Sequence, residues 1–374
     1  MIVTDFEPLS ILLLARSLET GGAERQLVEL ALGLKKRGHE VRVALFYGGG
    51  ALEGALRTAG VEILDLRKSG RWDFAGFLVR TVRVFRRLKP NVIYSFLGGG
   101  NIVGGLVRPF AGRTKLVWSV LNSAYDLSVD HWLARVGHVL ETALARTPDA
   151  IIANSSAGRA FAVQRGFPAK KVAVVPNGID TERYRPDSAL RREQRRKLGL
   201  GDDEIAIGVL ARLNATKDYP TFLRAAAEIA PRTPRARFLC VGSGSDLDTL
   251  QRLASGLGIS DRVQFTGELD AAMALNAFDI ACSTSVTEGF SNAIAEAMAC
   301  GLPCIVTDVG DSALIVGDCG VVVPPSSPGL LAQAIEHVLR RLDDHDPSKP
   351  RQRIADEFSL DKMVDRTIEV FRQL

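Results

Sequence analysis

The first 239 residues of this 374-residue chain contain no cysteine. The five that exist, Cys240, Cys282, Cys300, Cys304 and Cys319, all lie in the C-terminal half. Four sit in or beside apolar or small-residue runs such as Phe238-Leu239-Cys240 and Ile280-Ala281-Cys282. That setting reads as buried free thiols in a reducing cytosol. Cys300 and Cys304 are four residues apart, but no histidine or second cysteine pair accompanies them, which argues against zinc. The acidic clusters Asp202-Asp203-Glu204 and Asp343-Asp344-His345-Asp346 fall in polar connections and read as solvated turns. Long apolar runs are missing too. Ile11 to Ala15 is short, is followed by Arg16 and reads as a buried strand, not as a signal peptide. The longest uncharged stretch, Pro90 to Val107, is broken by Gly98-Gly99-Gly100, Asn101 and Gly104-Gly105. It falls short of the ~20 apolar residues of a membrane helix. The expectation is a soluble, cytoplasmic protein without a metal.

What is present fits a globular chain, 46% hydrophobic and 24% charged. Its length exceeds one typical core of roughly 100–200 residues, so two domains are expected. The net charge of +4 is unevenly spread: residues 1–180 hold 24 Lys+Arg against 15 Asp+Glu, and the remainder 23 against 28. A basic first half suits an anionic partner, either membrane headgroups or a polyprenyl-phosphate acceptor, or it is a solvated surface. The stretch Arg80, Arg83, Arg86, Arg87 and Lys89, interleaved with Phe77, Val82, Val84 and Phe85, is basic and amphipathic. It suits a membrane surface, or a helix with its apolar face to the core and cations near its C-terminus.

Strand and helix patterns alternate throughout. Leu9–Ala15, Val41–Phe46, Val61–Leu64, Val92–Phe96, Leu116–Val120, Ala150–Ala153 and Val172–Val175 read as strands. The series restarts with Ile205–Leu210, Arg237–Val241, Val263–Thr266, Ile280–Ser283, Cys304–Thr307 and Gly320–Val323. Buried runs separated by helical stretches predict two doubly wound parallel sheets of the α/β class. The polar stretch from about Thr181 to Glu204 reads as the connection between them. Residues 358–374 carry Met363, Val364, Ile368, Val370 and Phe371 at near-helical spacing and predict a terminal helix. Two facing domains of this kind leave a cleft at the carboxyl ends of their strands, so function belongs in the loops that follow strands.

Three such loops carry chemistry. Ser283 to Asn292 follows a strand and leads into Ala293-Ile294-Ala295-Glu296-Ala297-Met298, with Gly301 and Pro303 beyond. The N-terminus of that helix suits an anion such as diphosphate. Gly289 admits close backbone approach, Glu288 stands on the loop, and Glu296 sits one turn in, where a lone carboxylate is costly without partners. Sugar or ribose hydroxyls would satisfy it, as would a basic side chain. Arg212 and Lys217 directly follow a buried strand and suit a leaving diphosphate; otherwise they are surface cations. Thr20-Gly21-Gly22-Ala23-Glu24-Arg25 places a Gly-Gly loop at a helix start. Gly242-Ser243-Gly244 opens like a dinucleotide fingerprint but lacks its third glycine.

Taken in order, Gly21-Gly22-Ala23-Glu24-Arg25, Pro176-Asn177-Gly178-Ile179-Asp180, Arg212…Lys217 and the Glu288-x7-Glu296 segment running to Pro303 span almost the whole chain. In this the chain resembles family 4 of the retaining glycosyltransferases with the two-domain GT-B fold. The resemblance implies an acceptor domain over residues 1–182, with the helix 358–374 packing back on it, and a donor domain over 183–357. It implies a retaining, metal-independent transferase of surface polysaccharide assembly, moving a hexose from a UDP- or GDP-sugar to a glycan or polyprenyl-linked acceptor. It implies no cofactor and no nucleic acid; the basic half suits peripheral contact with the inner face of a membrane. Arg212, Lys217 and Glu288 would be catalytic, the cations on the diphosphate and Glu288 on the sugar. Gly22, Gly289, Phe290, Ser291, Asn292 and Glu296 would bind the donor, Glu296 through its ribose. The nucleobase would lie near Gln264–Leu269. Gly21 and Glu24 would face the acceptor. Many members carry a histidine after the strand matching Leu116–Val120; here Leu121-Asn122-Ser123 follows, leaving Asn122 or Ser123 as the hydrogen-bond donor. A nucleotide-sugar epimerase or glycan phosphorylase on the same fold, and a non-catalytic nucleotide-sugar-binding partner, are the alternatives.

Overall fold

Apolar runs decide the architecture. Ile11, Leu12, Leu13 and Leu14 are each at most 1% exposed, so successive side chains are buried on both faces of the strand. A sheet covered on both sides buries a strand in that way, as all-parallel sheets are. The computed structural model describes residues 7–70, 73–121 and 132–374. The chain divides into two units, Met1–Gly178 with Leu360–Leu374, and Ile179–Ser359.

The first unit contains β1 (Ser10–Ala15), β2 (Glu40–Leu45), β3 (Glu62–Asp65), β4 (Val92–Ser95), β5 (Lys115–Val120), β6 (Ala150–Ala153) and β7 (Val172–Val174). They form a parallel sheet of order β3-β2-β1-β4-β5-β6-β7. Strand order reverses between β1 and β4, and that is where doubly wound sheets bind ligands.

Beside that point stands a helix that its composition opposes. Leu97–Val107, LGGGNIVGGLV, is helical despite five glycines, each of which disfavours a helix by about 1 kcal/mol relative to Ala. Packing overrides propensity: a Cβ on Gly100 would lie 3.0 Å from Leu14 O, and one on Gly105 3.0 Å from the Trp118 ring. The helix also buries Asn101 completely. Its amide donates to Ser119 O at 2.8 Å and to Glu141 Oε1 at 2.9 Å, and its Oδ1 accepts from Ser95 Oγ at 2.9 Å. Arg165 completes the network, 3.1 Å from Glu141 Oε2. Every polar group of Asn101 is therefore matched.

The helix Leu360–Arg372 belongs to this unit. Met363, Val364, Ile368 and Phe371 enter the core around β1 and β2. The side chain of Gln26 ties the motif Pro176-Asn177-Gly178 to the helix Gly22–Lys36, donating to Gly178 O at 2.9 Å and accepting from Gly178 N at 3.0 Å. Gly178 admits no side chain, since a Cβ would fall 2.7 Å from Leu360 Cα.

The second unit contains β8 (Ile205–Leu210), β9 (Ala236–Val241), β10 (Val263–Gly267), β11 (Ile280–Ser283), β12 (Cys304–Thr307) and β13 (Gly320–Val323). These too are parallel, ordered β10-β9-β8-β11-β12-β13, with the reversal between β8 and β11. The division falls between Gly178 and Ile179: Ile179 N donates to Phe358 O at 2.8 Å and its side chain joins the second core. The stretch expected to be a connection is instead part of this unit. Its helix Ser188–Lys197 buries Arg195, which holds Asp279 at 3.0 Å, while Arg191 holds the other carboxylate oxygen at 2.6 Å.

All five cysteines are free, four of them buried. Burial, and then the negative charge of Glu296, push the Cys300 thiol up to about 12. It stays protonated and unreactive at neutral pH. No described helix is long and apolar enough to cross a membrane.

Candidate active site

The reversal point of the second sheet brings the loops after β8 and β11 side by side, and they carry Lys217 and Glu288. Lys217 Nζ lies 2.5 Å from Glu288 Oε1, with side chains 20% and 14% exposed. The same Oε1 accepts from Ser285 Oγ at 2.7 Å. Backbone contacts lock the loops: Thr284 Oγ1 donates to Lys217 O at 2.8 Å, and Val286 N donates to Thr216 O at 3.0 Å. Thr307, at the end of β12, donates to Ser285 O at 2.6 Å. Lys217 is thus not a loose surface cation. A partly buried pair held by neighbouring hydroxyls keeps its geometry without a ligand.

Arg212 lies on the same loop, exposed and without an ion pair among the described residues. Its backbone is clamped. Tyr219 Oη donates to Ala211 O at 2.8 Å, and Leu213 N donates to Ser243 O at 2.8 Å. A Cβ on Gly242 would lie 2.1 Å from Ala211 O, and one on Gly244 2.1 Å from Leu213 O. The Gly242-x-Gly244 pattern therefore lets one loop pack on another, and no dinucleotide fingerprint is needed to explain it.

Glu288 leads into the helix Asn292–Ala299, with Ser291 as its N-cap residue. No side-chain cap bond covers the Ser291 end, so the first N–H groups and the positive end of the dipole suit an anion. Phe290 is 6% exposed, and its ring lies 5.6 Å from that of Phe358. Its side chain belongs to the core, which leaves its backbone for a ligand. Glu296 is 3% exposed on the second turn.

Sequence reasoning missed Gly310. It sits after β12 at φ +58, and a Cβ there would lie 2.2 Å from Glu288 O and 2.7 Å from Gly289 O. Asp311 N donates to Gly289 O at 3.0 Å. The loop after β12 is thus a backstop for the turn bearing Glu288. A glycine in the loop after the strand next to β11 was the available signal.

In the first unit, Gly21 caps the helix Gly22–Lys36 with extended backbone and no side-chain cap bond. The carboxylate of Glu24 folds over it: a Cβ on Gly21 would meet Glu24 Oε2 at 2.1 Å. Asn122 and Ser123 lie outside the described residues. Leu121 is the last described residue after β5. Among the described residues, no group of three or more His, Cys, Asp or Glu side chains is arranged to hold a metal.

Comparison with known proteins bears on the family. The profile described as Glycosyltransferase Family 4 matches residues 20–183, and that described as Glycosyl transferases group 1 matches residues 204–341. The chain belongs to the family 4 glycosyltransferases. The transferase is 28% identical over 354 residues to a GDP-mannose-dependent alpha-(1-6)-phosphatidylinositol monomannoside mannosyltransferase of Mycobacterium tuberculosis, covering 91% of this chain and 88% of the relative. It is 29% identical over 355 residues to D-inositol 3-phosphate glycosyltransferase 2 of Catenulispora acidiphila, covering 86% and 82%. In structure it resembles Anabaena Alr3699/HepE in complex with UDP-glucose, with TM-score 0.85, 23% identity, and 98% and 100% of the two chains covered. The fold of two Rossmann-like units is the GT-B type.

Proposed function

We propose that this transferase moves a hexose, with retention at the anomeric carbon, from a GDP- or UDP-sugar to a hydroxyl of a lipid-linked glycan in surface polysaccharide assembly. The observation that carries the reading is the Lys217–Glu288 pair at the start of the helix Asn292–Ala299. The diphosphate takes the N–H groups of residues 289–292, with Arg212 and Lys217 neutralising its charge. Gly22 contributes from the first unit's helix start. Glu288 receives sugar hydroxyls and Glu296 the ribose. The bond from the anomeric carbon to the phosphate oxygen breaks as the acceptor oxygen bonds the same face. The acceptor proton passes to the departing phosphate, so no strong protein base is required. Gly21, Glu24 and Asn122 lie on the acceptor side. Two protein cations and the helix dipole supply the positive charge a metal would bring.

Support for a phosphorylated, lipid-linked acceptor comes from the phosphatidylinositol monomannoside and inositol phosphate named for the sequence relatives. The basic first half suits peripheral contact with the cytoplasmic face of a membrane.

The test supplies labelled GDP-mannose and UDP-glucose, with membrane lipid extract as acceptor and EDTA present. The expected result is labelled lipid with the donor's anomeric configuration, lost in Glu288→Ala. An epimerised nucleotide sugar without transfer, or transfer that EDTA abolishes, would sink the corresponding part of the reading.

A further inference from the structure

The parallel sheet of the first unit has a second end. The loops of the proposed active site follow the strands; β1, β4 and β5 begin at Ser10, Val92 and Lys115 on the opposite edge. A cavity of about 870 Å³ opens there, between the C-terminal end of the helix Phe74–Leu88, the turn Arg108–Phe110 and the end of the helix Leu360–Arg372. Its volume falls within the roughly 300–1,000 Å³ of small-molecule sites.

Two chemistries meet in it. Phe110 presents the apolar wall, with the buried Phe85 and Phe371 behind it. Phe85 and Phe371 are fixed in the core, while Phe110 is 51% exposed. Arg86, Lys89, Arg113 and Lys115 also line it, and no Asp or Glu does. Lys115 has a partial counter-charge in Asp149 at 3.9 Å. Arg86, Lys89 and Arg113 have no ion pair among the described residues. Arg86 and Lys89 alone would be explained by the negative end of their helix. Arg113 and Lys115 come from a separate turn and strand, and that explanation does not reach them. The floor is rigid: buried Thr114 donates to Pro90 O at 2.8 Å, and Asn91 Oδ1 accepts from Ser10 N at 2.7 Å.

We propose that this cavity takes an anionic phospholipid of the membrane, its phosphate on the cations and its first chain carbons against the phenylalanine wall. Charge complementarity selects the occupant. Inorganic phosphate leaves the aromatic wall unused, and a neutral amphiphile leaves the cations unmatched. The inference rests on the membrane contact proposed above and gives it a place remote from the chemistry.

Isothermal titration of the full chain with dihexanoyl phosphatidic acid, below its micelle concentration, tests this. Dihexanoyl phosphatidylcholine and inorganic phosphate serve as comparisons. Phosphatidic acid alone should bind. The double variant Arg86→Glu/Arg113→Glu, and separately Phe110→Ser, should weaken it by at least about tenfold. Arg83→Glu/Arg87→Glu changes exposed cations on the same helix that do not line the cavity, and should change binding by less than about twofold. Transfer to a water-soluble acceptor should be unchanged in all three, which also shows that they fold. Equal binding of inorganic phosphate, equal loss in the control pair, an unaffected Phe110→Ser, or no binding to the unaltered protein would each overturn the cavity. Flotation on vesicles of equal parts phosphatidylcholine and phosphatidylglycerol separates the two claims. If the cavity variants still float, the membrane contact stands and the cavity falls.

Discussion

The two units share a winding but build their loops differently. In the first, the loop after β1 reaches the helix start through Gly21 and Gly22, and the charge over it is the flexible carboxylate of Glu24. In the second, the loops after β8, β11 and β12 are bonded to one another through Thr284, Val286, Thr307 and Asp311. Their charges, Lys217 and Glu288, are already paired. The polar interiors differ as well. The first unit hides the Ser95–Asn101–Glu141–Arg165 network beside its reversal point, whereas the second ties Asp279 to Arg191 and Arg195 at the entry to its sheet. On the proposed mechanism the second unit is preorganised where charge would develop; the first is stiffened from below and has fewer bonds across its loop.

The largest break should come from Lys217→Ala. Losing one preorganised positive donor should cost about 10²–10³-fold in kcat, with circular dichroism unchanged. If the pair acts as a unit, Lys217→Ala/Glu288→Ala should be little worse than the worse single variant. Fully additive losses in steady-state kinetics would show that the two residues act separately.

Next is Gly310→Ala. Its Cβ meets backbone, not a side chain that swings away, at a residue with φ +58. The turn Glu288–Gly289 must shift. A displacement of about 1 Å should cost on the order of 10²-fold in kcat/KM, together with about 1–3 kcal/mol of stability in urea titration. A variant with undisturbed kinetics would show that the backstop is not needed.

Asn101→Ala probes the stiff base of the first unit. It leaves Ser119 O, Ser95 and Glu141 without their amide partner in a buried site, so urea titration should show a loss of about 2–3 kcal/mol. Donor affinity, measured under folded conditions, should stay unchanged. A shift in donor affinity alone would move the network's role from the fold to the site.

These effects mark the limits of what the sequence discloses. All the described strands were legible, because segments such as Leu12–Leu14 and Ile280–Cys282 are apolar on both faces. The helix Leu97–Val107 was not, since its glycines are explained by Leu14 and Trp118 lying against them. Arg191 and Arg195 read as a polar connection because Asp279, their partner, lies over 80 residues further on. Lys217 and Glu288 were each visible on a loop after a strand. Their pairing across 71 residues was not. Gly310 stayed hidden because a glycine's necessity depends on what its absent side chain would strike.

The smallest effect sharpens the comparison most. Gly21→Ala carries a nominal clash as short as that of Gly310→Ala, 2.1 Å against 2.2 Å. What it meets is the tip of Glu24, and the Gly21 backbone is extended at φ −159, a conformation any residue adopts. The carboxylate can rotate away, so stability should change by no more than about 0.5 kcal/mol. On the proposed assignment of Gly21 and Glu24 to the acceptor, KM for the acceptor should rise while KM for the nucleotide sugar stays fixed. A stability loss matching that of Gly310→Ala would mean the first unit's loop is as rigid as the second's. A rise in donor KM instead would move Gly21 from the acceptor to the donor.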